Sequence, residues 1–529
     1  MKLKLISFFL LLTALGTRAQ LTSTNLPIVM INVSGAIGTT QTQASMSIID
    51  NVSGLNHPTD IPVFTGMIGV NVRGNTTYPK SSYSVETWSA PTVSLDTALL
   101  GMPSENDWVL LSSYEDRSLQ RNMLAARLHE KMERYAPRMR YCELLINNAY
   151  MGVYTFGERI KRDSLRLDIA KLTPLDNAGI NLTGGYIVKI DGNANGWDSG
   201  INPPYGTTQV IHFEYDYPSD AEITPVQQAY IKSYVDSFEA ALNGANFQDT
   251  LIGWRKHGAV NAFADYMIIQ EVARNNEAYR KNSYLYKDKG TKLRPGPLWN
   301  FDLSFRNTAD CNSSLDTGWT YHYGGVCGTS NKLAPFWWMK LSSDTSFMDE
   351  LKCRYSAYRK SGQLLDTTSI FHMIDSVSAL LNANGAVSRN FTQWPIWGTP
   401  IVNEPTPMAS NYGEELQNLK TFIKNRLTWL DTKWLSTSTK CYPLAVQELQ
   451  KEVALSFFPN PAENQVQITI QGLDNAADFN VTDVQGRIME SRKVKNGQFY
   501  LDCTRYPSGL YMIQLKSASA SISKKLIRS

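Results

Sequence analysis

Two oxygen-bearing side chains stand two positions apart in the run Trp299-Asn300-Phe301-Asp302. A hard divalent cation such as Mg2+ prefers oxygen ligands, and one or two carboxylates with water and phosphate suffice to hold it. In an extended run, residues i and i+2 face the same side, so Asn300 and Asp302 can meet one ion. The alternative is that Asp302 caps a turn. Far upstream, Lys80 follows an Arg73-Gly74 turn and Pro79 and enters a strand-like run. It is either a cation placed to neutralise an anion or a surface lysine beside a proline turn. Arg73 either faces the same anion or holds the turn. No CxxC or His/Cys cluster has zinc spacing. No GxSxG or HExxH motif is present, and the six histidines are scattered.

The elements that must position these residues differ between the two halves. PIVMINV, MSIID, GMIGVNVRG and SSYSVETW, within 27–90, read as strands separated by Gly, Asn and Pro turns. Leu119, Met123, Leu124, Leu128 and Met132 recur at helical spacing, predicting a helix over Arg117–Tyr135 with Asp116 or Ser118 as cap. Tyr141–Ile146 and Gly152–Glu158 predict two strands joined at Asn147-Asn148. Helices are expected at Thr224–Leu242, Ala259–Arg274 and Glu414–Trp434, with a short strand at Ser283–Lys287, a turn at Lys289-Gly290 and the segment Pro297–Phe305. Residues 306–335 look irregular. From about 456, five strand-like runs with turns every eight to twelve residues predict a small antiparallel sandwich.

The chain has 529 residues, a length that fits about three or four domains. It is 43% hydrophobic and 19% charged, with a net charge of +3, so no basic stripe points to nucleic acid. Residues 1–19 read as a signal peptide: Lys2 and Lys4, an apolar run from Ile6 to Leu15 too short to span a bilayer, then a small-residue cleavage site before Gln20. No other span is expected. An exported chain can oxidise its six cysteines, and Cys311 with Cys327, flanking a short Gly/Ser/Tyr-rich loop, is the best disulfide candidate.

Two resemblances follow from longer motifs. FFPNPAENQVQITI, DVQGRIMES, YPSGLYMIQL and the closing KKLIRS resemble the type A sorting domain of the Bacteroidetes type IX secretion system. That resemblance implies the secretion machinery as partner and a secreted or outer-surface location. VRGNTTYPKSSYSVE, LLGMPSENDWVLLSSYEDRSLQRNMLA, YAPRMRYCELLINNAYMGVYTFGERIKRDSLRLDI, GGYIVKID and NNEAYRKNSYLYKDKGTKLRPGPLWNFDLSFRN resemble the CotH kinases, the spore coat protein H-like proteins. The resemblance implies an α+β chain: a divergent two-lobed protein-kinase-like domain over 27–435, using ATP and Mg2+ or Mn2+. A linker over 436–455 and an immunoglobulin-like sandwich over 456–529 complete the expected order.

Within that resemblance Lys80 and Arg73 hold phosphate, Glu277 orients the acceptor hydroxyl, and Asp302 with Asn300 holds the metal. Arg121 and Asn122 brace the lobes. The chain departs from the family twice. Glu277 stands where an Asp is usual, and Asn300 replaces the first carboxylate of a Trp-Asp-x-Asp or Trp-Asp-x-Asn segment. Two readings result. One is an exported kinase transferring phosphate from ATP to a hydroxyl of a secreted or surface protein. The other is a catalytically weak or inactive, pseudokinase-like surface module. That module would hold a polymer or partner on the aromatic-rich stretch 306–340 (Trp319, Tyr321, Tyr323, Trp337, Trp338), whose rings otherwise fill the core.

Overall fold

Alternating apolar residues build the first sheet, and the computed structural model shows that it closes on itself. The model describes residues 19–205, 208–328, 332–435, 441, 454–471, 476–483, 487–516 and 521–529. The expected signal peptide, apart from its last residue, and nearly all of the expected linker lie outside these. The chain divides into two units, Met1–Ser436 and Thr437–Ser529.

The first unit opens with β1 (Ile28–Asn32), β2 (Thr42–Ile49), β3 (Phe64–Arg73), β4 (Ser82–Ala90), β5 (Val93–Ser94), a small hairpin of β6 (Thr97–Leu99) and β7 (Met102–Glu105), and β8 (Asp107–Leu111). Helix α1 (Arg121–Lys131) follows, then β9 (Met139–Ile146) and β10 (Ala149–Glu158). The strand order is β3-β2-β1-β9-β10-β8-β4-β5, and β3 also pairs with β4. That last pairing closes seven strands into a ring. Alternate residues (Val29, Ile31, Met46, Ile68, Val70, Val85, Trp108, Leu110, Leu144, Phe156) share one buried core, as expected where one face of each strand is excluded from water. The opposite set on β3 and β4, including Arg73, Ser82 and Ser84, lines polar cavities instead.

The second part of this unit is β11 (Tyr186–Ile190), β12 (Gly196–Asp198), β13 (His212–Tyr217), α2 (Pro225–Asn243), α3 (Val260–Ala273), β14 (Ser283–Lys287) and β15 (Arg294–Pro295), then α4 (Gly324–Cys327), α5 (Trp337–Ser342), α6 (Thr345–Tyr358), α7 (Thr367–Asn382), α8 (Ala386–Gln393) and α9 (Tyr412–Trp434). Thr224 and Gln227 form a reciprocal capping box at the start of α2. Helix α3 is buried from Ala262 to Ala273. Its carboxylates are paired: Asp265 with Arg134 and Arg354, Glu271 with Arg426. An ion at such depth is tolerable only when paired and hydrogen-bonded.

Two expectations change here, and one alternative closes. Helix α1 begins at Arg121 rather than Arg117, because Leu119 has φ 60° and Asp116 draws the preceding loop together through Ser118 N and Arg121 N. Residues 299–302 are not extended: Asn300 has φ 58°, so the alternation that would turn Asn300 and Asp302 to one side does not apply. The aromatic stretch is core. Tyr321, Tyr323, Trp337 and Trp338 are buried, and the half-buried Trp319 stacks on Trp434. Those rings therefore present no platform for a polymer. The Cys311–Cys327 disulfide forms.

The second unit contains β16 (Ala454–Phe458), β17 (Gln465–Gln471), β18 (Ala477–Asp483), β19 (Ile488–Val494), β20 (Gly497–Asp502), β21 (Gly509–Lys516) and β22 (Ser521–Arg528). They form antiparallel sheets ordered β16-β17-β20 and β19-β18-β21-β22, whose inward residues share one core. The chain is thus mixed helix and sheet with an all-β C-terminal region, and among the described residues no helix is long and apolar enough to cross a membrane.

Candidate functional site

The loop after Trp299 owes its shape to one asparagine on α1. Asn122 Oδ1 accepts from Phe301 N at 2.6 Å, and its Nδ2 donates to Asp302 Oδ1 at 2.8 Å. Between them Phe301 is buried in the main core and pins the loop. Asn300 adopts the left-handed conformation that Asn tolerates better than other non-glycine residues. It donates from Nδ2 to Glu277 Oε2 at 2.7 Å. Asn307 Nδ2 donates to the Asp302 carbonyl at 2.6 Å. Arg121 braces the same region by donating to the carbonyls of Ser304 and Phe305 and pairing with Asp116 and Glu415.

Glu277 sits in the turn that follows α3, where Arg274 leaves the helix at φ 44°. It is 8% exposed. Three donors hold it: Lys281 Nζ on Oε1 at 2.9 Å, and Asn282 Nδ2 (2.6 Å) and Asn300 Nδ2 on Oε2. It retains acceptor capacity for one further hydroxyl, since two carboxylate oxygens offer about four lone-pair sites.

Lys80 comes from the loop joining β3 to β4, two residues before β4 begins. Its ammonium donates to the Val153 carbonyl at 2.7 Å and to Asn390 Oδ1 at 2.9 Å, and lies 4.8 Å from the Tyr154 ring centre. Burial lowers its pKa to about 7. Arg73 lies over the Trp299 ring at 5.1 Å, and burial, helped by the charge of Arg159, lowers its pKa to about 10.

These five side chains line one cavity of about 800 Å3. Its size falls in the range of small-molecule and cofactor sites, about 300–1,000 Å3. Glu115, Asp191 and Lys281 line it too. Asp302 is the most perturbed carboxyl there: burial first, then the charges of Glu115 and Asp116, raise its pKa to about 8. A cation at this carboxyl would offset both causes.

Among the described residues no three or more His, Cys, Asp or Glu side chains converge as a metal cage. That donor set still fits Mg2+ or Mn2+ held with a polyphosphate, because Mg2+ is usually bound through one or two carboxylates plus phosphate and water. Asp302 Oδ2 has no hydrogen-bond partner among the described residues, and Asn300 lines the same cavity. Sequence reasoning did not pick out Glu115, Lys281 or Asn390. Asn390 has no signal near Lys80, since 310 positions separate them.

Two families match. Residues 70–430 match the family described as CotH kinase protein, which covers more than half the chain and every residue of the cavity's cation and carboxylate sets. Residues 456–529 match the family described as secretion system C-terminal sorting domain. None of the curated proteins compared with the chain matches it.

Proposed function

Because the chain belongs to the CotH kinase protein family and carries a C-terminal sorting domain, we propose that it is an exported protein kinase that transfers phosphate from ATP to a hydroxyl of a secreted or surface protein. Export to the cell surface or the medium follows from the type IX sorting domain, which engages the secretion machinery. The observation that carries the kinase reading is that cations from the strand ring and carboxylates from the loops around α3 share one cavity of nucleotide size. In this reading the ring of strands and the helical part are the two lobes of a divergent kinase.

Phosphoryl transfer asks a protein mostly for position and charge. Lys80 and Arg73 supply cations toward phosphate oxygens. Asp302, with the Asn300 amide oxygen, would hold Mg2+ or Mn2+, which supplies charge neutralisation on the phosphates when bound. Glu277 accepts the hydrogen bond of the incoming hydroxyl and orients its oxygen toward the γ-phosphorus. The O–P bond to the acceptor forms as the bond to ADP breaks, and the hydroxyl proton is lost to Glu277 or solvent. Its three donors fix the Glu277 carboxyl in place, which suits orienting the hydroxyl.

The second reading, a catalytically weak or inactive surface protein, is favoured by one observation: the Asn300 amide is engaged by Glu277 and adds no charge to the metal donors. Incubating the full chain with γ-labelled ATP, Mn2+ or Mg2+ and the exported proteins of its source separates the two. The kinase reading predicts label on a Ser, Thr or similar hydroxyl. Nucleotide binding with no label transferred would leave the pseudokinase reading.

A further inference from the structure

We propose that Asn390, on α8, is a positioning residue that presents the Lys80 ammonium to the cavity while withholding a counter-charge, so that the anionic ligand itself completes the pair. The proposal rests on the reading of Lys80 as the phosphate-binding cation.

The geometry of the carboxamide is determined by its neighbours. Asn390 Oδ1 accepts both from Lys80 Nζ at 2.9 Å and from Val153 N at 3.0 Å. Both neighbours are donors, so the oxygen and not the amide nitrogen must face them. An ammonium has three N–H groups. Two are spent on Asn390 Oδ1 and the Val153 carbonyl, which leaves one for the cavity that Lys80 lines. The close approach is built in at Gly152, which has φ 102°. A Cβ there would meet Asn390 Oδ1 at 2.6 Å and Lys80 Cε at 3.3 Å.

Among the described residues no anion neutralises this lysine. From β9 the Cys142 thiol faces it, and from β10 the Tyr154 phenol. Burial pushes both pKa values up, so both are neutral. The neighbouring carboxylate on β9, Glu143, is taken by Arg389 of α8 at 2.7 Å. On the cavity side Asp302 and Glu277 face Asn122 and Lys281. Among the described residues Lys80 has no carboxylate within ion-pair distance. Protein kinases pair the corresponding lysine with a glutamate. Here a neutral amide occupies that role, and the lysine stays fully charged only when a phosphate arrives. Above pH 7, binding then takes up one proton from solvent onto Nζ.

The test uses the full chain, Asn390→Asp and Lys80→Met, with and without ATP and Mg2+, between pH 6.5 and 9. Aspartate keeps both hydrogen bonds and adds the missing charge. Without ligand, the depressed folded-state pKa means that the unfolded chain binds more protons between about pH 7 and the ordinary lysine value, so the stability of the parent rises with pH across that window. This rise should be smaller in Asn390→Asp and in Lys80→Met than in the parent, since Lys287, whose pKa burial lowers to about 8, keeps its own share. With ATP and Mg2+, the parent's Kd should weaken about tenfold per pH unit, the limit for one linked proton, above about pH 8, where Asp302 is already ionised and releases no proton to the metal, whereas Asn390→Asp should be flat there. Equal ligand-free slopes in the parent and Asn390→Asp overturn the positioning role, whether or not ATP binds. Altered slopes with ATP affinity indifferent to pH in the parent overturn the assignment of Lys80 to phosphate, and with it the proposal. Total absence of ATP binding overturns the function reading, and the ligand-free slopes still decide the role of Asn390.

Discussion

Glu277 is clasped by Lys281, Asn282 and Asn300, so replacing it with Gln keeps its size and most of its contacts while removing the charge proposed to orient an acceptor. Glu277→Gln should bind ATP like the parent and transfer phosphate more slowly by about 10²–10⁴-fold, the usual contribution of a positioned acid–base group. Steady-state transfer measured beside equilibrium nucleotide binding checks this. An equal loss of both would place Glu277 on the nucleotide instead. The candidate residues were legible at this scale because their types stand in motifs: Lys80 after an Arg-Gly turn, and an amide and a carboxylate after Trp299. Their mutual geometry was not. The loop at 299–302 is bent by Asn122, 179 positions before Phe301, and a bond of that span leaves no local period in the sequence.

The strands and long helices were readable where a period runs far enough to be seen. Helices α2, α3 and α9 fall within about two residues of expectation, since each carries a full apolar stripe or is apolar all round. The expectation stops at the irregular stretch 306–335 and resumes at Glu414, so α5 to α8 go unread. At eight residues α8 is too short to declare a face, yet it delivers Asn390 to the Lys80 ammonium. Strand β8 likewise goes unread, because four of its five residues are apolar or aromatic without alternation. The ring closure between β3 and β4 is a long-range pairing that no local pattern announces. The junction of β10 with α8 gives the test at this scale. Gly152→Ala combines a positive φ, costing about 1–2 kcal/mol, with a Cβ 2.6 Å from Asn390 Oδ1. It should lower stability by about 2 kcal/mol or more in thermal or denaturant unfolding and loosen the Lys80 environment. An unchanged midpoint would mean that α8 is not held against β10 as described.

At the scale of the whole molecule, the sorting domain and the cavity proposed to take nucleotide reside in separate units, residues 456–529 and 70–430. The address was legible because a sorting domain is read from its turns and closing strand. The cavity was legible only through resemblance, because it is assembled from β3, the β3–β4 loop, the β8–α1 loop, the turn after α3 and the loop after β15. The central claim is that these pieces form one metal-assisted nucleotide site, and ligand-induced stabilisation measures that directly, since a ligand that binds only the folded form must raise its apparent stability. Thermal unfolding of the full chain should shift upward with ATP and Mn2+ or Mg2+ together. The shift should vanish in Asp302→Ala, whose ligand-free midpoint stays at or above the parent's because a buried carboxyl crowded by Glu115 and Asp116 is gone. A parent midpoint unmoved by nucleotide and metal, or an equal shift in Asp302→Ala, would contradict the account.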